Sequence, residues 1–233
     1  MSIYGYIPQV ENQEKHRSFL TNLNASLELI MLKITDARAL VNKGLTADDF
    51  AGKNTKVITT TTIMDEKLEH LGWKDELKII QEFRPEYHIP VDVPVYPSQE
   101  DHHRWKNIRT YLEGIIWMEE RVSDTKLIPL IKGETRDERR FVKTVVDYFD
   151  YDYVCFYSTQ LVMDGMGKSR IIGKINKIAN EFEDKKILLM GLQSPAYVKN
   201  LLENVVAVSG QRWRTKVKPG EAEENEMRRR YSI

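Results

Sequence analysis

Apolar residues in this chain come in short continuous runs, separated by longer segments in which they recur every three or four positions. Short continuous runs are typical of strands buried on both faces of a parallel sheet. Seven runs are clear, and they predict strands at 27–34, 56–64, 87–95, 126–131, 153–157, 187–190 and 205–208. A less regular run at 3–10 is a candidate for an eighth strand.

The segments between the strands carry helix signals. Apolar stripes at helical spacing predict helices over 13–23, 65–83, 98–122, 135–149 and 169–182. Thr135 and Glu138 have the spacing of a capping box at a helix start. Pro90 and Pro94 remove ladder donors from the third strand, so we expect that strand to end early, near Asp92.

The regular alternation of strands and helices indicates a parallel α/β fold, since one strand follows the last after about 25–30 residues. A chain of 233 residues is close to the roughly 250 residues of a (β/α)8 TIM-type barrel, which we prefer to an open sheet. The eighth strand is either the N-terminal run or missing, in which case the barrel is incomplete. No linker is visible, so we predict one domain over 1–233 with a charged tail at 215–233.

Composition narrows the classes of protein to consider. Lys plus Arg and Asp plus Glu are both 35, so no net charge directs the chain to nucleic acid or membrane. No apolar segment approaches the roughly 20 residues that span a bilayer, and the N-terminus lacks the pattern of a signal peptide. The single cysteine, Cys155, excludes an internal disulfide and a multi-cysteine zinc site. A cytoplasmic protein without membrane association is expected.

Polar side chains gather at the predicted carboxyl ends of the strands, where barrel enzymes place their active sites. Asp36 and Asp92 stand out, because two carboxylates in one pocket can take different pKa values and divide acid, base or nucleophilic roles. For Asp36, a simple helix N-cap is an equal alternative. Asp92 lies between two valines, where a carboxylate is costly unless it is used or paired. The same strand ends carry Lys132, Gln160, Gln193, Ser209, Gln211 and Arg212.

Four segments that carry some of these residues occur in a suggestive order over roughly residues 28–214. They are ITDA at 34–37, HIPVD at 88–92, LIKG at 130–133 and LLMGLQSPAYVKNLLENVV at 188–206. Together they resemble the tRNA-guanine transglycosylase superfamily, which includes DNA-guanine transglycosylase relatives. The last segment is similar to the family's Leu-Met-Gly-Val-Gly-x-Pro stretch with the helix and strand that follow it.

The resemblance implies roles for individual residues. Asp36 falls on the essential aspartate of the family's Thr-Asp-Ser-Gly-Gly motif, and Asp92 falls where the family has the aspartate that reads the base edge. Lys132 replaces the base-binding glutamine of an Ile-Val-Gln-Gly motif. Asp36 is thus the implied acid, base or nucleophile, Asp92 is the implied base reader, and Lys132, Gln193 and Ser209 would line the pocket.

The chain also departs from the family's pattern. Residues 156–158 replace the Gly-Gly-Leu that binds the base, Ser209 lies near the position of the nucleophilic aspartate, and the zinc-binding cysteines and histidine are absent. The resemblance therefore implies a pentosyltransferase that exchanges guanine for a 7-deazaguanine-type base, in DNA rather than tRNA because the zinc-containing region is missing. The alternative is a non-catalytic barrel that binds a base or pairs with a partner, as a homo- or heterodimer.

Two further patterns concern ligands. The segment 211–214, QRWR, interleaves basic and aromatic residues and suits either a phosphate backbone with a stacked base or a solvated tail. His102 and His103 are adjacent on a predicted helix, where neighbours project about 100° apart, so we predict that they do not share a metal. Histidines are expected at the surface, and neither a metal nor a cofactor is predicted.

Overall fold

The computed structural model describes residues 3–23, 27–163 and 165–217, so most of the predicted tail lies outside the described residues. The strands in these ranges are β1 (Gly5–Val10), β2 (Leu29–Lys33), β3 (Lys56–Thr60), β4 (Tyr87–Ile89), β5 (Lys126–Leu127), β6 (Tyr153–Tyr157), β7 (Lys186–Met190) and β8 (Val205–Gly210). The helices there are α1 (Glu14–Leu23), α2 (Ile34–Val41), α3 (Ala47–Ala51), α4 (Asp65–Leu68), α5 (Trp73–Phe83), α6 (Asp101–Glu119), α7 (Arg136–Tyr148), α8 (Thr159–Met163), α9 (Lys168–Glu181), α10 (Pro195–Val198) and α11 (Arg212–Val217).

The strands form one eight-stranded parallel sheet in the order β5-β4-β3-β2-β1-β8-β7-β6. The N-terminal strand β1 lies between β2 and β8, so the candidate at 3–10 supplies the eighth strand, and the parallel α/β prediction is confirmed. Since every strand runs the same way, all carboxyl ends lie at one rim of the sheet, which we call the carboxyl edge.

The sheet curls, and its two outermost strands approach each other. Leu130, just beyond β5, makes an isolated parallel bridge with Cys155 of β6. The Ile131 N–H donates to the Cys155 carbonyl and the Cys155 N–H donates to the Pro129 carbonyl, each at 2.7 Å. The predicted strand at 126–131 is thus regular only at its start, because Pro129 cannot donate to a ladder.

Strand β2 illustrates why the apolar runs are continuous. Ile30 and Leu32 pack in one apolar cluster with residues of α2 and α5, while Leu29 and Met31 pack in a second cluster on the other face. Successive strand residues point to opposite faces, so a strand covered on both sides needs an apolar residue at every position.

Of three predicted boundary features, two agree with the structure and one differs. Strand β4 stops at Ile89, because Pro90 follows it, which fits the expected early end. The single helix expected over 65–83 is wrong: α4 ends at Leu68, and α5 starts after Gly72, whose extended backbone interrupts the helical stripe. The predicted capping box is confirmed, since Thr135 and Glu138 bond reciprocally at the start of α7.

Candidate functional site

Asp92 follows a turn that its neighbours hold in place. Val91 has a φ of 50°, a left-handed conformation that costs a β-branched residue roughly 1–3 kcal/mol. The Val91 N–H donates to the carboxylate of Glu76 at 2.9 Å, and the Asp92 N–H donates to the Thr61 hydroxyl at 2.9 Å. These two bonds fix the direction in which the chain leaves β4 and presents Asp92 at the carboxyl edge.

A buried polar network supports this turn. Nε2 of His88 lies 2.8 Å from Oε1 of Glu76, and Nδ1 of His88 lies 2.8 Å from the Thr59 hydroxyl. Because an ionised carboxylate only accepts, we assign the proton to Nε2. All three side chains are buried, so the expectation of a surface histidine is wrong for His88. The network joins β3, β4 and α5 directly beneath the turn at Asp92.

The Asp92 carboxylate is paired with the ammonium group of Lys132. The two side chains are 12% and 14% exposed, so the pair is largely shielded from water. Nζ of Lys132 also lies 6.0 Å from the centre of the Tyr111 ring, and the Tyr111 hydroxyl donates to the Leu130 carbonyl at 2.9 Å. A carboxylate at this position is expected to be used or paired. Lys132, in the segment that follows β5, provides the partner.

A cleft of about 310 Å³ opens beside Asp92. Its volume is at the lower end of the roughly 300–1,000 Å³ of ligand pockets. The Tyr96 hydroxyl donates to Asp65 at 2.7 Å near this cleft, and burial, followed by this hydrogen bond, raises the pKa of Tyr96. The lining residues include Asp65, Leu68, Trp73, Val91, Asp92 and Pro94.

Asp36 lies on a different part of the carboxyl edge and is not a helix cap. It is the third residue of α2, whose N-cap is Lys33 without a side-chain cap bond. Oδ1 of Asp36 instead accepts the N–H of Asn12, which follows β1, at 3.1 Å. Burial raises the pKa of Asp36, and the nearby carboxylate of Glu11 adds to the rise, while the Asn12 N–H acts against it.

His16 packs close to this region and was missed by the sequence reasoning. Its ring is buried, its Nδ1 accepts the Glu11 N–H at 2.8 Å, and burial lowers its pKa. Trp213 of α11 lies edge-on to His16, with ring centres 4.9 Å apart, and stacks on Phe19 at 4.0 Å. The buried Trp213 indole therefore packs against the core and is not free to stack a base.

Ser209 and Gln193 are buried structural residues. Ser209, in β8, donates its hydroxyl to the sulfur of Met31 at 3.2 Å, and it is only 1% exposed. Oε1 of Gln193 accepts the Arg212 N–H at 2.9 Å, and its amide nitrogen lies 3.4 Å from the Ile7 carbonyl. Ser209 therefore links β8 to β2, and Gln193 links the start of α11 to β1.

The other predicted pocket residues lie at the same edge but do not meet Asp92 directly. Gln211 donates to Glu11 at 2.9 Å and accepts from Arg214 at 3.0 Å. The guanidinium of Arg212 donates to the Gln193 carbonyl at 3.3 Å, although Arg212 is largely exposed. Gln160, in α8, is half-buried. Gln211 thus belongs with Asp36, while Gln160 is at the end of β6.

The segment LLMGLQSP takes a shape that only its glycine allows. Gly191 ends β7 with a φ of 94°, and a Cβ there would come 2.0 Å from the hydroxyl oxygen of Thr159. Any other residue would therefore clash as well as strain the backbone. The backbone at the end of β7 therefore requires Gly191, whatever the function of the segment in which it lies.

Asp36 and Asp92 face the same edge from next-but-one strands, β2 and β4, with β3 between them. Adjacent strands are about 4.8 Å apart, so the two strand ends are separated by about 10 Å. The two carboxylates have different protein partners and do not contact each other.

Neither carboxylate belongs to a metal-binding cluster within the described residues, where the one group of suitable geometry is Glu100, His102 and His103. In the described parts of the chain, no helix is both long and apolar enough to span a membrane. A scan against models of protein families and a search of curated proteins find no match. Function therefore has to be inferred from the side chains of the carboxyl edge.

Proposed function

We propose that this chain is a (β/α)8 barrel that exchanges guanine for a 7-deazaguanine-type base in nucleic acid, with DNA favoured over tRNA. The observation that carries the proposal is the pair of unlike carboxylates at one edge. Asp92 is ion-paired, while burial raises the pKa of Asp36. The bridge between Leu130 and Cys155 supports a closed barrel, because it joins the two outermost strands.

Asp92 and Lys132 together match the edge of guanine. Lys132 pairs with Oδ1 of Asp92, and Oδ2 has no protein partner among the described residues. Oδ2 can accept N–H bonds from N1 and the exocyclic amine, while the ammonium group of Lys132 donates to O6. Lys132 then supplies the donor that the resemblance assigns to a glutamine, and its charge compensates the carboxylate.

Asp36 acts on the bond that is exchanged. Burial shifts the pKa of Asp36 upward, which is the direction that suits a general acid. When the bond between C1′ and N9 breaks, its electron pair leaves with guanine, Asp36 gives its proton to the departing base, and C1′ is left as an oxocarbenium ion that the incoming base attacks. The carboxylate then takes the N9 proton of the incoming base as the new bond to C1′ forms, which restores Asp36 for the next cycle.

The burial of Ser209 favours a second candidate function. Its hydroxyl, near the family's nucleophile position, is bonded to the Met31 sulfur and is sealed from the cleft. A barrel that lacks a nucleophile at this position could bind a base without exchanging it. The second candidate is therefore a non-catalytic base-binding subunit, alone or with a partner.

The test is exchange of labelled guanine, or of a 7-deazaguanine, into DNA and into tRNA. Asp36→Asn and Asp92→Asn are compared with Asp48→Asn, an exposed carboxylate on α3. We expect incorporation into DNA by the parent and by Asp48→Asn. Loss of the general acid in Asp36→Asn should slow incorporation by roughly 10²–10⁴-fold.

Binding measured alongside exchange separates the two candidates. Saturable binding of guanine that is lost in Asp92→Asn, without incorporation into either nucleic acid, would favour the non-catalytic barrel. Full activity in Asp36→Asn and Asp92→Asn would contradict both candidates, because each depends on Asp92.

A further inference from the structure

Three exposed side chains at the start of α6 converge on one point. Nδ1 of His102 lies 3.2 Å from Oε2 of Glu100, and the centres of the His102 and His103 rings are 3.9 Å apart. One potential ligand atom from each of the three residues lies within 4.8 Å of the other two. The ligand atoms of the two histidines therefore come together, although adjacent helical positions project about 100° apart.

The backbone at the helix start explains why they meet. Glu100 is the N-cap residue and has an extended backbone, with φ −64° and ψ 151°, so its side chain can fold back over the first turn. His102 and His103 are the second and third residues of α6. The angle of about 100° between adjacent helical positions describes the Cα–Cβ directions. The ring nitrogens lie beyond Cβ, so rotation of the side chains brings them together.

We propose that Glu100, His102 and His103 form a binding site for a divalent transition metal ion. Two imidazoles and one carboxylate are a ligand set that suits Zn²⁺, Ni²⁺ and Cu²⁺, and water completes the coordination. The carboxylate of Glu100 supplies negative charge, which offsets the unfavourable positive end of the helix dipole, while the adjacent Asp101 is paired with Arg104. The site does not depend on base exchange.

The chain has five histidines, and the other three can be distinguished from the proposed metal ligands. His16 and His88 are buried and bond through ring nitrogens to Glu11 and Glu76 respectively. His70, between α4 and α5, is exposed and has no second histidine beside it. His70 is therefore a matched control for an exposed single histidine.

The experiment is titration of tag-free, full-length protein with ZnCl₂ and NiCl₂ by calorimetry, on the parent and on His102→Ala, His103→Ala, Glu100→Gln and His70→Ala. We expect one saturable equivalent in the parent and in His70→Ala. Removing a ligand should weaken binding at least as much as the roughly 10–100-fold seen on loss of an outer-shell partner. Paramagnetic Ni²⁺ should broaden the imidazole NMR signals of His102 and His103, while those of His70 stay sharp.

Any other outcome contradicts the proposed metal site. Absence of a saturable equivalent in the parent contradicts it directly. Equal loss in His70→Ala indicates non-specific surface binding, and loss in only one of the two histidine variants contradicts a shared ion. The altered side chains are exposed, so far-ultraviolet circular dichroism should match the parent. A variant that fails this check is replaced by His102→Gln or His103→Gln, for which the same criteria apply.

Discussion

At the scale of single residues, the pairing of Asp92 with Lys132 determines what the carboxyl edge can bind. Each charge would be expensive to shield from water alone, and together they present an acceptor and a donor side by side. Under the proposed function, the same acceptor and donor would bind the edge of guanine. The coupling energy between Asp92 and Lys132 is therefore the first quantity to measure.

A double-mutant cycle with Asp92→Asn and Lys132→Met should give a coupling energy of about 1–3 kcal/mol in urea unfolding, because the pair is shielded. The exposed pair Lys78 and Glu82 on α5, with 74% and 47% exposed side chains, provides the control. Its coupling should stay below about 1 kcal/mol, as for other surface ion pairs. Equal coupling in the two cycles would contradict a shielded pair at Asp92.

Asp36 should make stability depend on pH. Burial raises its pKa above the ordinary 3.8, so the folded protein binds this proton more tightly than the unfolded chain does. Above the raised pKa, the ionised Asp36 carboxylate therefore lowers the free energy of unfolding. This loss of stability disappears as the pH falls through the raised pKa toward 3.8, the ordinary value.

We expect Asp36→Asn to be more stable than the parent at neutral pH, with an advantage that shrinks at acidic pH. Urea unfolding at several pH values measures the difference, and Asp48→Asn on the exposed surface is the control. A difference between Asp36→Asn and the parent that is independent of pH would contradict the raised pKa.

At the scale of elements, α5 supports the site through one carboxylate. Glu76 accepts from His88 and from the Val91 N–H, so it fastens α5 to β4 and to the left-handed turn that precedes Asp92. The strain of that turn persists because this buried network over-determines it.

Replacing Glu76 by Ala should destabilise the protein by about 3 kcal/mol, because two buried donors lose their acceptor. Glu82→Ala, on the same helix but exposed, should cost less than about 0.5 kcal/mol. Equilibrium urea unfolding of both variants tests this. If both changes cost the same, Glu76 does not hold the turn.

At the scale of the whole molecule, the curled sheet brings its two outermost strands together at the bridge between Leu130 and Cys155. The N–H groups of Ile131 and Cys155 both donate across it, and we expect slow hydrogen exchange at both. The Ser158 N–H, which donates to Met190 at 2.9 Å, is an internal reference for strand-end protection. Exchange at Ile131 and Cys155 as fast as in an exposed loop would instead indicate an open sheet.

The sequence was sufficient for the parallel α/β architecture, because strands such as β2 and β7 are short apolar runs and β3 is rich in β-branched residues. Strand β1 is harder to recognise, since Tyr4 and Tyr6 are exposed and Pro8 interrupts the run. The break between α4 and α5 was also missed, because the apolar stripe continues across Gly72. The periodicity of apolar residues indicates which face of a helix is apolar, but it does not indicate where the backbone leaves the helical conformation.

The site was predictable in outline but not in its contacts. Strand order places Asp36, Asp92 and Lys132 at one edge, and this follows from any parallel arrangement. The partners of those residues come from positions far apart in sequence, such as Asn12 for Asp36 and Glu76 for the turn at Asp92. Ser209 gave no sign in the sequence that its hydroxyl would be buried on Met31.

The most direct test of the central claim is a crystal structure of the protein soaked with guanine. We expect guanine to bind with N1–H and the exocyclic amine on Asp92, O6 on Lys132 and N9 directed toward Asp36. Guanine bound elsewhere, or no guanine at the carboxyl edge at saturating concentration, would contradict it.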